Sequence, residues 1–137
     1  MGTDTRAGTP AAQIQPHRIL LVDDNMDAAD IAAMLLKQLG QDVMQVYDGR
    51  TALDVARDFG PDIIVLDVNM PGLHGLQVAR SIRALPGRVS GCRIIAYTGF
   101  GQPEHRAAAQ AAGFDDFLVK PVSIAQWAGI LGAPGES

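Results

Sequence analysis

A single cysteine, Cys92, leaves nothing for an internal disulfide to join. The chain must therefore be held by its own core, and it fits a reducing compartment. No apolar stretch approaches the roughly 20 residues that a membrane-spanning helix needs. Basic residues are in the minority, 11 Lys and Arg against 15 Asp and Glu, and a pI near 5.1 argues against a nucleic-acid-binding face. The first 16 residues lack the apolar block of a signal peptide. They are rich in Ala, Gly, Thr and Pro, with little to bury, and are expected to form a mobile leader. The 137 residues leave room for one domain, and a chain near this size buries about 68–70% of its unfolded surface. The expected organisation is a leader over 1–16, one domain over 17–132 and a flexible tail over 133–137, in a soluble cytoplasmic protein.

What the sequence does contain is an alternation. Short runs rich in Ile, Val and Leu, at about 18–23, 42–47, 62–67, 92–97 and 115–119, have the character of strands buried on both faces of a parallel sheet. Stretches of helical period follow each. Ala28, Ile31, Leu35 and Leu39 predict the inward face of a first helix, stopped by Gly40. Asp48 or Gly49 opens a second helix, with Leu53 and Ala56 inward and Gly60-Pro61 as its end. Val78, Ile82 and Leu85 line a third, Pro103 begins an Ala-rich fourth that Gly113 ends, and Ser123 caps a fifth carrying Ile124, Trp127 and Leu131. Five strands each followed by a helix predict right-handed crossovers and a doubly wound α/β sandwich.

The strand ends carry the chemistry. The first run ends on Asp23-Asp24, the third on Asp67, the fourth on Thr98 and the fifth on Lys120-Pro121. In an open parallel sheet ligands bind beyond the carboxyl ends of the strands, so these residues are expected to meet. Two unit charges 4 Å apart repel by about 4 kcal/mol at an effective dielectric of 20. Three carboxylates together therefore call either for protonation of one or for a hard cation between them. An all-oxygen set suits Mg²⁺, and no His or Cys is spaced for zinc. Lys120 adds a fixed positive charge and Thr98 a neutral donor, the complement of a transferred phosphoryl group. Asp67 is the best nucleophile candidate, followed by a turn at Asn69-Met70-Pro71-Gly72, with Gly72 and Gly75 letting the backbone run close.

Each residue alone has a plainer reading. Asp23-Asp24 can cap the first helix, Asp67 can begin a loop, Thr98 can be a turn hydroxyl, Lys120 a solvated charge and Phe117 core packing. His17, His74 and His105 read as surface residues, Arg80 and Arg83 as a solvated helix face, and Cys92 as a small buried apolar group.

Val22-Asp23-Asp24-Asn25, Asp67-Val68-Asn69-Met70-Pro71 with Gly75, Thr98-Gly99 and Lys120-Pro121, in that order, resemble the receiver domain of two-component response regulators over about Arg18 to Leu131. The resemblance implies a flavodoxin-like (βα)5 sheet of strand order 2-1-3-4-5. It implies that Asp67 accepts a phosphoryl group from a phosphohistidine on a histidine kinase or histidine phosphotransfer protein. It further implies Mg²⁺, or possible Mn²⁺, held by Asp24, Asp67 and the Asn69 carbonyl, with Asp23 acting mainly through water. By the same match Thr98 and Lys120 grip the phosphoryl oxygens and Lys120-Pro121 is a cis peptide. Phe117 falls on the family's switching aromatic, where many receivers carry tyrosine. Lacking a hydroxyl, it is expected to be held inward by apolar contact only, with Gly99 leaving room for its ring. Thr98 and Phe117 would then reshape the surface of helix four, strand five and helix five for a downstream protein partner. Asn69 and Phe100, two positions past Asp67 and Thr98, are expected to tune the lifetime of the phosphoryl group.

These expectations describe a signalling acceptor and not an enzyme, a monomer or weak dimer without nucleic-acid or membrane partners. A relay receiver, acting within or beside a hybrid histidine kinase, is the alternative. A haloacid-dehalogenase-like phosphatase is more remote: two positions past its nucleophile that family has an acidic Asp, where this chain has Asn69.

Overall fold

The structure is a computed structural model that describes residues 14–68, 75–99 and 103–132, with backbone only at 103–105. Asn69, the turn after it, His74, Phe100 and the His105 side chain lie outside the described residues. The elements run β1 (Arg18–Val22), α1 (Met26–Gln38), β2 (Asp42–Val46), α2 (Gly49–Phe59), β3 (Ile63–Asp67), α3 (Gly75–Arg83), a 3₁₀ turn (Arg88–Gly91), β4 (Arg93–Thr98), α4 (Pro103–Ala111), β5 (Asp116–Val119) and α5 (Ile124–Gly132). All strand pairs are parallel, in the order β2-β1-β3-β4-β5. The expected doubly wound, flavodoxin-like sheet is what the chain forms.

The strand period of two divides the core. Leu20, Val22, Ile64 and Leu66 face a cluster completed by α2, α3 and α4. Ile19, Leu21, Ile63 and Val65 face the other, completed by α1 and α5 with Trp127 and Leu131. The central β3 is buried along its whole length, whereas the edge strands β2 and β5 are largely half-exposed. Full burial of each large aliphatic side chain here contributes about 1.5–3 kcal/mol. Ile14 is also buried in the second cluster, and Gln15 accepts a hydrogen bond from Gln41 Nε2 at 3.1 Å. Packing thus begins within the stretch expected to be a leader. Among the described residues no helix is long and apolar enough to cross a membrane.

Local signals behave as anticipated at most helix ends. Asp48 caps α2, accepting from Thr51 N at 2.8 Å and from the Thr51 hydroxyl at 2.9 Å, bonds that hold its carboxyl below the usual range. Gly60 ends α2 in the left-handed conformation, with φ of 65°. Ser123 and Gln126 form a reciprocal capping box at α5. Cys92 is buried, and that burial pushes its thiol up to about 11, so it stays protonated at neutral pH.

Two expectations are corrected. On α1 the buried residues are Ala29, Ala32, Ala33 and Leu36, with Leu39 buried just past its end as expected, while Ile31 is 57% exposed and Ala28 and Leu35 are half-buried. Both stripes have helical period; the alanine stripe faces the sheet because small side chains let the helix lie closer. Arg83 is no part of a solvated face. It reaches across to Gly113 O at 2.7 and 3.0 Å, Ser90 O at 2.9 Å, Cys92 O and Asp115 Oδ2 at 2.8 Å. Asp115 Oδ2 also accepts from Ile94 N at 2.9 Å. The guanidinium therefore ties α3 to the entrances of β4 and β5, a planar fork used on several carbonyls at once.

Arg83→Ala should cost about 2–4 kcal/mol, because several charge-assisted bonds are lost together and their half-buried acceptors are left to water. Arg83→Lys should recover less than half of that, since an ammonium cannot span the same acceptors. Urea unfolding measures both; a change in midpoint stability below about 0.5 kcal/mol would show that water replaces the clamp.

Candidate phosphoacceptor and metal site

The carboxyl edge of the sheet gathers the strand-end residues. Asp23 follows β1 and is fully buried; its amide donates to Val46 O at 3.2 Å, and its Oδ1 accepts from Asn25 N at 3.0 Å. The cap of α1 is Asn25, whose side chain accepts from Ala28 N at 3.0 Å. Helix capping therefore occupies neither Asp23 nor Asp24. Asp67 closes β3 and is 5% exposed, and Asp24 is exposed. One carboxylate oxygen from each of the three lies within 4.8 Å of the others.

Lys120 enters from the end of β5. Its Nζ donates to Asp23 Oδ2 at 2.9 Å and to Asp67 Oδ2 at 3.4 Å. Its backbone amide donates to Thr98 O at 2.7 Å, fixing the approach of the lysine to the end of β4. The Lys120-Pro121 peptide is cis. Thr98 itself is 2% exposed, on the strand that pairs with β3. The structure thus brings together Asp23, Asp24, Asp67, Thr98 and Lys120. Phe117 stands apart on β5, half-buried against the first core cluster.

One member of the site had no signal of its own in the sequence. Tyr97, buried at the end of β4, places its ring 4.6 Å from Lys120 Nζ and 5.8 Å from the Trp127 ring. A cation over an aromatic face is attracted by the ring quadrupole, so Tyr97 is a floor for the ammonium. Burial, and then the charges of Asp23 and Asp67, push its phenol well above the usual range, so it stays neutral. Its alternation inward along β4 marks it as core, and nothing local tells that Lys120 crosses it.

The donor set fits a hard divalent cation. It is made only of carboxylate oxygens, and three carboxylates against one ammonium leave two negative charges unmatched. One of the three oxygen donors is on an exposed residue, open to the hydration that Mg²⁺ retains.

A parallel sheet with an acidic carboxyl edge defines a doubly wound α/β domain with its site at the strand ends. The chain belongs to the response regulator receiver domain family, whose model matches residues 19–130. It is 38% identical over 105 residues to the CAI-1 autoinducer sensor kinase/phosphatase CqsS of Vibrio cholerae, covering 77% of this chain and 15% of that protein. It is 38% identical over 113 residues to the transcriptional regulatory protein PrrA of Mycobacterium leprae, covering 82% of this chain and 47% of that one. The chain thus spans less than half the length of either relative. Among solved structures it resembles the receiver domain of sensor histidine kinase PA1611 from Pseudomonas aeruginosa PAO1, which has a magnesium ion coordinated in its active site cleft. There the TM-score is 0.80 and identity 32%, over 90% of this chain and 100% of that one.

The site depends on a close approach at Gly75. A Cβ built there would lie against the Asp67 carbonyl oxygen and 2.6 Å from Val68 Cα, both backbone. Gly75→Ala should therefore force α3 away from the end of β3, costing about 1–3 kcal/mol. Thermal unfolding and magnesium titration followed by amide NMR should both register it. An alanine variant with parent-like melting and titration would show that the helix start shifts freely.

Proposed function

We propose that this receiver domain is a Mg²⁺-dependent phosphoacceptor in which Asp67 takes a phosphoryl group from a phosphohistidine on a histidine kinase or histidine phosphotransfer protein. The observation that carries the reading is the Lys120 ammonium set between Asp23 and Asp67 at the carboxyl edge of the sheet. A carboxylate oxygen of Asp67 attacks phosphorus, forming an O–P bond. The P–N bond breaks, and its electron pair returns to the imidazole nitrogen of the donor. Asp24, Asp67 and the carbonyl of Asn69 would hold Mg²⁺, or Mn²⁺, with Asp23 acting mainly through water, and the ion would supply positive charge against the phosphoryl oxygens. Lys120 offsets the charge that the phosphoryl group brings to Asp67, and Thr98 offers its hydroxyl as a neutral donor. The buried setting of Asp23, Asp67 and Thr98 keeps water from competing for these contacts. Asn69, two positions past Asp67, and Phe100, two positions past Thr98, govern access of water to the acyl phosphate in this reading.

Output follows from Thr98. Drawing its hydroxyl toward the phosphoryl group favours an inward ring at Phe117 and changes the α4-β5-α5 surface offered to a protein partner. The domain is in this reading a signalling acceptor without substrate turnover, monomeric or weakly dimeric and cytoplasmic. The similarity to a segment of a sensor kinase/phosphatase supports a second reading, a relay receiver that hands its phosphoryl group onward. The family match displaces the phosphatase reading.

Incubation with a histidine-phosphorylated kinase domain and Mg²⁺ should add one phosphoryl group to the parent chain, seen by intact mass. Asp67→Ala should add none. Lys120→Gln should slow the transfer by about 10²-fold, the scale of losing a positioned electrostatic contact. Chelation of Mg²⁺ should abolish labelling, and readdition should restore it. Equal labelling of parent and Asp67→Ala would overturn the assignment of the acceptor.

A further inference from the structure

We infer that Arg106 is a latch on Phe117, a positioning residue that sets how readily the ring responds to the site; the inference rests on the phosphoacceptor reading above. The guanidinium carbon of Arg106, on α4, lies 4.7 Å from the centroid of the Phe117 ring on β5. Phe117 is therefore not held by apolar contact alone, as its missing hydroxyl had suggested. The two carboxylates nearest in the sequence to that ring are already taken: Asp115 pairs with Arg83 at 2.8 Å, and Asp116 with Arg93 at 2.7 Å. Among the described residues this leaves Arg106 laid over the aromatic face.

The surroundings make such a contact consequential. Among the described side chains of α4 only Ala109 is buried, so the helix is anchored on the sheet by little apolar area. A hollow of about 250 Å³, bordered by Arg106, Ala109, Gln110, Phe114 and Phe117, lies between α4 and β5. Among the described residues nothing stands within 4 Å of where a side chain at Gly99 would begin, at the end of β4. The ring is thus half-buried beside free space, with one cation laid over it. A cation–π contact at an exposed site biases an equilibrium by about 2- to 5-fold. Arg106 holds the ring in its half-buried place and α4 against β5. Removing the guanidinium releases both, and apolar burial then draws the ring inward.

The test labels the chain with 4-fluorophenylalanine and assigns the Phe117 resonance with Phe117→Leu. Fluorine spectra are recorded for the parent, Arg106→Ala and Arg106→Lys, each without ligand and with beryllofluoride and Mg²⁺; circular dichroism checks that the variants fold. In the ligand-free spectra Arg106→Ala should move the Phe117 resonance toward its beryllofluoride position, by a 2- to 5-fold change in population. Arg106→Lys should fall between, since an ammonium keeps charge without the flat stacking group. Half-saturation by beryllofluoride should drop by the same factor in Arg106→Ala. A resonance unmoved by Arg106→Ala, or moved the opposite way, overturns the latch. The ligand-free comparison does not need Asp67 to be modified. Failure of beryllofluoride to perturb any amide near Asp67 would instead count against the phosphoacceptor reading.

Discussion

Between two buried carboxylates, separated from it by 97 and 53 positions in the chain, the ammonium of Lys120 does what no local interaction could do. Asp23 is fully buried, and an unpaired charge there would carry a desolvation penalty of several kcal/mol. The lysine offsets that penalty, and in doing so fixes the ends of β1, β3 and β5 relative to one another. Its geometry is set in turn by the hydrogen bond that its backbone amide donates to Thr98 O and by the Tyr97 ring beneath it. The charge that remains on the edge, with Asp24 facing outward, is what makes the site suited to a divalent cation.

The rest of the fold keeps that edge in register. Arg83 and Arg93 act at the opposite end of β4 and β5, where Arg83 binds Asp115 and three backbone carbonyls and Arg93 binds Asp116 and the Ile130 carbonyl. By holding the strand entrances they fix where the exits, Thr98 and Lys120, come out. Gly75 plays the corresponding part for β3, since only a residue without a side chain lets α3 start against Asp67. The same strands that form the core deliver the charged and polar groups of this edge.

The contrast between the two sides of α1 shows where sequence reading loses resolution. Ala28, Ile31 and Leu35 have the same helical period as Ala29, Ala32 and Leu36, and Ile31 is larger than Ala32, so they read as the inward stripe. Packing turned the stripe of Ala29, Ala32, Ala33 and Leu36 to the sheet, and the alanines allow a close approach. The caps at Asp48 and Ser123 were legible because the bond partners lie three residues away. The Asp23-Asp24 pair was ambiguous between cap and ligand until Asn25 was seen to take the capping role. Arg83 and Arg106 were illegible, since neither the carbonyls of one nor the ring of the other is near in the chain.

What the residues alone determine is therefore the alternation of strands and helices, the two-sided burial of β1 and β3, and the set of charged and polar groups at strand ends. Those properties follow from periods of 2 and 3.6 and from turn chemistry, which act over a few residues. Tertiary structure alone decides which charges meet, which stripe of a helix is covered, and whether an arginine is solvated, clamped or stacked. These are distances across space between segments far apart in sequence, and they are settled only when the whole sheet and its helices have packed.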